Sequence, residues 1–206
     1  MFYEYQIIFG ILAATLGIVA FFPYFRDIFR GTTKPHVFTW FVWTLLTGIT
    51  FFIQLSEGGG IGAWVTGIES LCCAGVAVFA YTRGEKKITR FDWICFGMAL
   101  LATISWLFAH QPLLAVVLVV CADALAFAPT FRKSYWKPNE ETAMNYALGA
   151  ARWPLAIFAL QSLTLTTFLY PAAIAIFDMA LVAMLLIRRR QLAKRERGDT
   201  PHEIGT

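Results

Sequence analysis

Four ionisable residues, Glu69, Asp123, Arg152 and Asp178, lie inside long apolar runs of this 206-residue chain. A charge there costs several kcal/mol, and such residues face a bundle interior or a wet cavity. A guanidinium matches a carboxylate with a planar fork. A buried carboxylate without a cation can neutralise itself by taking up a proton. The set can therefore bind a polar or charged solute, relay a proton or form a structural ion pair. At 1.5 Å of rise per residue, Asp123 and Arg152 sit about 9 and 10 Å from the basic ends of consecutive runs. Their similar depth predicts a pair between them, either structural or solute-facing. Asp178 and Glu69 lie deeper, at about 15 and 21 Å. Trp43 and Trp153 are the deep aromatics that could stack on a ring or sugar face. Asn145, at the start of the sixth run, fits a helix cap as well as a solute contact.

These residues need elements that hold them at depth. The chain is 58% hydrophobic and 15% charged, against about a quarter charged in soluble domains. A span needs roughly 20 mostly apolar residues, and seven runs qualify: 5–25, 37–55, 62–81, 93–109, 113–131, 145–163 and 165–187. The N-terminal residues lack the basic stretch of a cleavable signal, so the first run reads as a retained helix. The four cysteines read as small apolar fillers of helix interfaces. Trp40, Trp64 and Tyr146 sit near run ends, where interfacial belts collect aromatics. His36, His110 and His202 read as solvated.

Every lysine and arginine of the 17 except Arg152 falls in the first, third or fifth connection or in the C-terminal tail. Basic residues stay on the cytoplasmic side. The alternation predicts seven spans, an outside N-terminus and a cytoplasmic C-terminus, in a plasma or inner membrane. The tail after Ile187 reads as a helical continuation that gives way to disorder.

The segment Ala20-Phe21-Phe22-Pro23-Tyr24-Phe25-Arg26 returns as Ala126-Phe127-Ala128-Pro129-Thr130-Phe131-Arg132, identical at five of seven positions with an offset of 106. Three spans followed by one extra span return the chain to its starting side, so two such repeats run parallel. The expected fold is all-α and integral to the membrane, with two parallel three-helix bundles joined by a linker helix. Its parts are a first repeat at 1–84, a linker with the fourth helix at 85–110, a second repeat at 111–190 and a basic tail at 191–206. Pro23 and Pro129 are placed alike in the two repeats, as gating hinges or helix terminators.

The Pro-containing first helix of each repeat and the basic loops FRDIFRGTTKPH and FRKSYWKPNEET resemble the SWEET / PQ-loop family of transporters. The resemblance implies the 3+1+3 arrangement over nearly the whole chain up to Ile187, and a solute site between the halves. Tyr24 and Thr130 stand where that family has Gln, and no second-helix Pro matches at Trp40 or Tyr146, so sugar specificity does not transfer.

The expected function is a transporter or facilitator of a small polar metabolite, whether sugar-like, a vitamin or nucleoside, or an amino or organic acid. It would work by alternating access, with proton coupling open. A ligand-sensing or cargo-binding receptor on the same fold is the alternative. No enzyme motif is present, and no cofactor, metal or nucleic-acid partner is expected. The partners are the solute and membrane lipids, and a homodimer is left open.

Overall fold

Seven α-helices and one short 3-10 turn make up the computed structural model, which describes residues 2–106, 108 and 111–198. The helices are α1 (Phe2–Phe29), α2 (Val37–Ser56), α3 (Ile61–Arg83), α4 (Arg90–Trp106), α5 (Pro112–Trp136), α6 (Ala143–Ala159) and α7 (Leu165–Gly198), with the turn at Pro138–Glu140. Five of them, α1, α2, α3, α5 and α7, are long and apolar enough to cross a membrane. The other two, α4 and α6, have 17 residues each. At 1.5 Å per residue they are about 25 Å long, shorter than a hydrocarbon core of about 30 Å. Large apolar side chains such as Phe22, Leu71, Val78 and Leu101 are mostly exposed on the outside. A surface of that kind is built to meet lipid. The chain is a multi-pass α-helical membrane protein.

Local chemistry sets the helix ends. Thr89 and Asp92 cap α4 reciprocally: the Thr89 N–H donates to Asp92 Oδ2 at 2.7 Å, and the Asp92 N–H donates to Thr89 Oγ1 at 3.3 Å. Thr164 and Thr167 do the same for α7, at 3.0 and 3.3 Å. Both follow the capping-box geometry, in which two orphan amides are satisfied together. The helix α6 stops at Ala159, four residues before the end of the expected run, and the freed carbonyl of Leu160 accepts from Gln6 Nε2 at 3.0 Å. Pro23 and Pro129 end neither helix, for α1 continues to Phe29 and α5 to Trp136. The terminator reading of these prolines is therefore excluded. The helical continuation expected after Ile187 runs through Gly198, and residues 199–206 lie outside the described residues. His110 and His202 lie outside the described residues.

Packing follows a matched pattern. The third helix, α3, packs on both α1 and α2, and α7 packs on both α5 and α6. Across these groups α1 meets α6, and α2 meets α5. The remaining helix, α4, lies against α5 and α2. An offset of 106 residues carries Lys34 onto Glu140, and the same offset carries Val37, the first residue of α2, onto Ala143, the first residue of α6.

Two expectations are corrected by burial. Trp40 and Tyr146 are fully buried in the core rather than placed in an interfacial belt, while Trp64 is exposed. Their ring positions near run ends fall where the helices converge, against Tyr24. His36 is enclosed, not solvated, because the start of α4 closes over it and brings Asp92 to 3.5 Å.

Candidate functional site

A cavity lies between the two helix groups, lined by side chains of α1, α2, α3, α5, α6 and α7. Glu69 comes from α3, Asp123 from α5, Arg152 from α6 and Asp178 from α7. Trp43, Trp153 and Asn145 line the same space. All seven sequence-selected binding candidates thus meet at one place. Pro23 and Pro129 do not line it. The cavity holds about 30 Å³, room for one or two waters. Anything larger fits only when the side chains or helices around it move.

Arg152 organises the site. Its Nη2 lies 2.5 Å from Glu69 Oε2, and its guanidinium stacks over the Trp153 ring at 4.2 Å from the centroid. Gly17 on α1 makes the room, since a Cβ there would sit 2.9 Å from Arg152 Nη1. The expected Asp123–Arg152 pair does not form. The two residues are on consecutive helices, but α6 packs across onto α1 rather than beside α5. Arg152 is thereby carried toward α3 and Glu69, so its pair joins the two helix groups. Asp123 instead accepts from the Tyr170 hydroxyl at 3.5 Å.

Neither Asp123 nor Asp178 has a cation within ion-pair distance among the described residues. A Cβ added at Gly149 would collide with the Asp178 carboxylate, so this glycine leaves the space the carboxylate occupies. Asp123 Oδ2, Asn145 Oδ1, Arg152 Nε and the indole nitrogens of Trp43 and Trp153 are buried without a protein hydrogen-bond partner. Buried polar groups are almost always paired. Five unpaired atoms around one cavity mark hydrogen-bonding capacity that the folded chain does not use. No family model, curated protein or solved structure matches this chain.

A second polar assembly lies at the basic-loop end and reaches the cavity through Tyr146. Glu141 accepts from the Tyr24 hydroxyl at 2.6 Å and from the Tyr146 hydroxyl at 3.2 Å, and it pairs with Lys133. Lys133 also donates to the carbonyls of Lys34 and Glu140 at 2.8 and 3.0 Å. Thr142 bonds Thr33 at 2.5 Å and donates to Asp27 at 2.9 Å. Arg132 holds Asp92 with two donors at 2.9 and 2.8 Å. Burial pushes the Asp92 carboxyl up, but the hydrogen bonds from Arg132 and Thr89 outweigh it and hold it below the usual range. Burial likewise raises Glu85, and its bonds from Lys137 and the Lys87 amide bring it below the usual range. His36 is pushed down by burial, with Asp92 acting against that shift.

Sequence reasoning passed over this assembly. Glu141, Lys133 and Asp92 lie in the connections outside the apolar runs and Tyr24 lies at the end of the first run, so none of them stands out as a charge at depth. One signal was available: Thr89-x-x-Asp92 is a capping-box spacing, which fixes Asp92 at a helix start. Nothing in the sequence marks Glu141 as buried.

Proposed function

We propose that the chain is a seven-span transporter of a small polar solute, built as two parallel three-helix bundles with α4 as the linker. The observation that carries this reading is the central cavity, to which both helix groups contribute charged side chains and across which Arg152 and Glu69 pair. A site shared between two halves is what alternating access requires, because rocking of the halves exposes it to each side in turn. The matched packing of the two groups and the offset of 106 support the repeat. With α4 and α6 as short spans, every basic connection falls on one side, which puts the C-terminus in the cytoplasm and the N-terminus outside. This arrangement keeps the resemblance to the SWEET / PQ-loop plan. Tyr24, Tyr146, Glu141 and Lys133 then form the closed cytoplasmic gate, and Pro23 and Pro129 are the hinges above it.

The test begins with a thermal-shift screen of purified protein against sugars, nucleosides, vitamins, amino acids and organic acids at two pH values. A ligand that binds only the folded state raises the melting temperature by mass action. The hits are then followed as flux into proteoliposomes. Saturable uptake, lost in Arg152→Gln, is the expected result. Binding without flux for every hit would overturn transport and leave a receptor.

A further inference from the structure

The cavity carries three carboxylates, Glu69, Asp123 and Asp178, against one guanidinium, Arg152. Glu69 is matched by Arg152, so two carboxylates remain without a cationic partner. Charge of one sign in an enclosed site needs compensation, from a bound proton or from a cation. The walls are aromatic: Trp40, Trp43, Phe127, Tyr146, Trp153 and Tyr170. Ring faces attract cations through their quadrupoles. The chain already demonstrates this chemistry, because the Arg152 guanidinium lies over Trp153 with a carboxylate at its edge. Asp123 and Asp178 line the same aromatic-walled cavity with no tethered cation beside them. An anion would have to displace Glu69 from Arg152 and would still face the other carboxylates.

Resting on the transport reading, we infer that the solute is a monovalent organic cation with an attached ring, which competes with a proton for the Asp123 and Asp178 carboxylates. The ammonium, guanidinium or ring-nitrogen end lies between those two carboxylates. The ring stacks among Trp43, Trp153 and Tyr170, and the unpaired Asn145 carbonyl oxygen accepts from a donor on the solute. When the cation enters, the proton that balanced the site leaves to bulk water, and when the cation leaves a proton returns. The titratable and charged groups facing this position are Glu69 and Cys73 from α3, Asp123 from α5, Tyr146 and Arg152 from α6, and Tyr170 and Asp178 from α7. The cavity faces of α1 and α2 contribute no titratable side chain.

The test uses three probes of one shape on the full chain in nanodiscs: 2-phenylethylammonium, neutral 2-phenylethanol and anionic phenylacetate. Titration calorimetry at pH 6 and pH 8, in two buffers of different ionisation enthalpy, reads affinity and proton release together. The cation is expected to bind, to release a proton and to gain about tenfold in affinity per pH unit where one proton is displaced. Asp178→Asn should weaken it at least tenfold while leaving the melting temperature near that of the parent. Equal or tighter binding of phenylacetate or phenylethanol overturns the inference, as does cation binding that is independent of pH. No binding of the cation at millimolar concentration overturns it as well. The transport reading fails separately: cation binding with no flux in proteoliposomes removes transport and leaves cation recognition, while saturable flux of a neutral or anionic solute does the reverse.

Discussion

Two regions of this molecule bury charge, and they do it in opposite ways. At the basic-loop end, Lys133 is only 1% exposed, yet it has a carboxylate and two carbonyls around its ammonium. Glu141 is equally enclosed and is met by two hydroxyls and that same lysine. In the central cavity, Asp123, Asn145 and the indoles of Trp43 and Trp153 are as deeply buried but keep polar atoms with no partner. Burial alone therefore does not mark a functional group. The groups around Lys133 and Glu141 are complete and hold two helix groups together, although His36 and Ser134 at that end keep unpaired atoms. The cavity set has hydrogen-bonding capacity that the folded chain does not use.

The largest effect that could break this contrast is on the completed side. Lys133→Met leaves Glu141 as an uncompensated buried charge and should lower stability by about 3–5 kcal/mol, read as a drop in melting temperature or in folded yield. An unchanged melting temperature would mean that the network is ornamental. On the incomplete side, Glu69→Gln removes the partner of Arg152 and one of the three carboxylates. The freed guanidinium then competes with the solute for the Asp123 and Asp178 carboxylates, so cation affinity should fall several-fold with the protein still folded. Unchanged affinity would mean that the Arg152–Glu69 pair does not govern the charge of the cavity. A smaller effect is expected from Gly149→Ala, whose added methyl meets the Asp178 carboxylate. Solute affinity should fall several-fold with little change in yield, and unaltered affinity would place the solute elsewhere.

The smallest effect is a titration. His36 is pushed below its ordinary value of 6.5, chiefly by burial. The unfolded chain then binds a proton more readily than the folded one. Stability is unaffected above the unfolded value and is lost as pH falls through it toward the lowered folded value. His36→Gln should remove that first loss below about pH 6.5, leaving a later one. The later loss belongs to Asp92 and Glu85, whose lowered values give stability that disappears only as pH falls below the ordinary carboxylate range. A single acid transition, identical with and without the imidazole, would show that His36 takes up its proton as readily in the folded chain as in the unfolded one.

The positions of the cavity residues were legible because depth is a matter of counting. Glu69, Asp123, Arg152 and Asp178 stood out as charges in apolar runs, and all four line one space. The partner of Arg152 was not legible. Rise along a helix gives height and says nothing of which neighbour the helix packs on, and α6 crosses to α1. The same limit misplaced Trp40 and Tyr146, whose heights suit a belt but whose directions point inward. Loop residues were misjudged for another reason. Glu141 and His36 belong to segments of turn composition, and a polar loop buried by the meeting of two others has no local signature.

In the proposed two-repeat plan Lys34 and Glu140 are counterparts, and they touch each other, Nζ to Oε1 at 2.8 Å, with the Lys34 amide donating to the Glu140 carbonyl at 3.2 Å. A residue on a twofold axis meets its own copy. Two lysines there, or two glutamates, would repel. A molecule assembled from two identical half-length subunits could not place opposite charges at that point, because each subunit would have to supply both. On the proposed plan, one polypeptide that carries both halves is free of the constraint. It lets the seam between them be sewn with a cation on one side and an anion on the other, and the same freedom lets a lone arginine face a glycine across the seam.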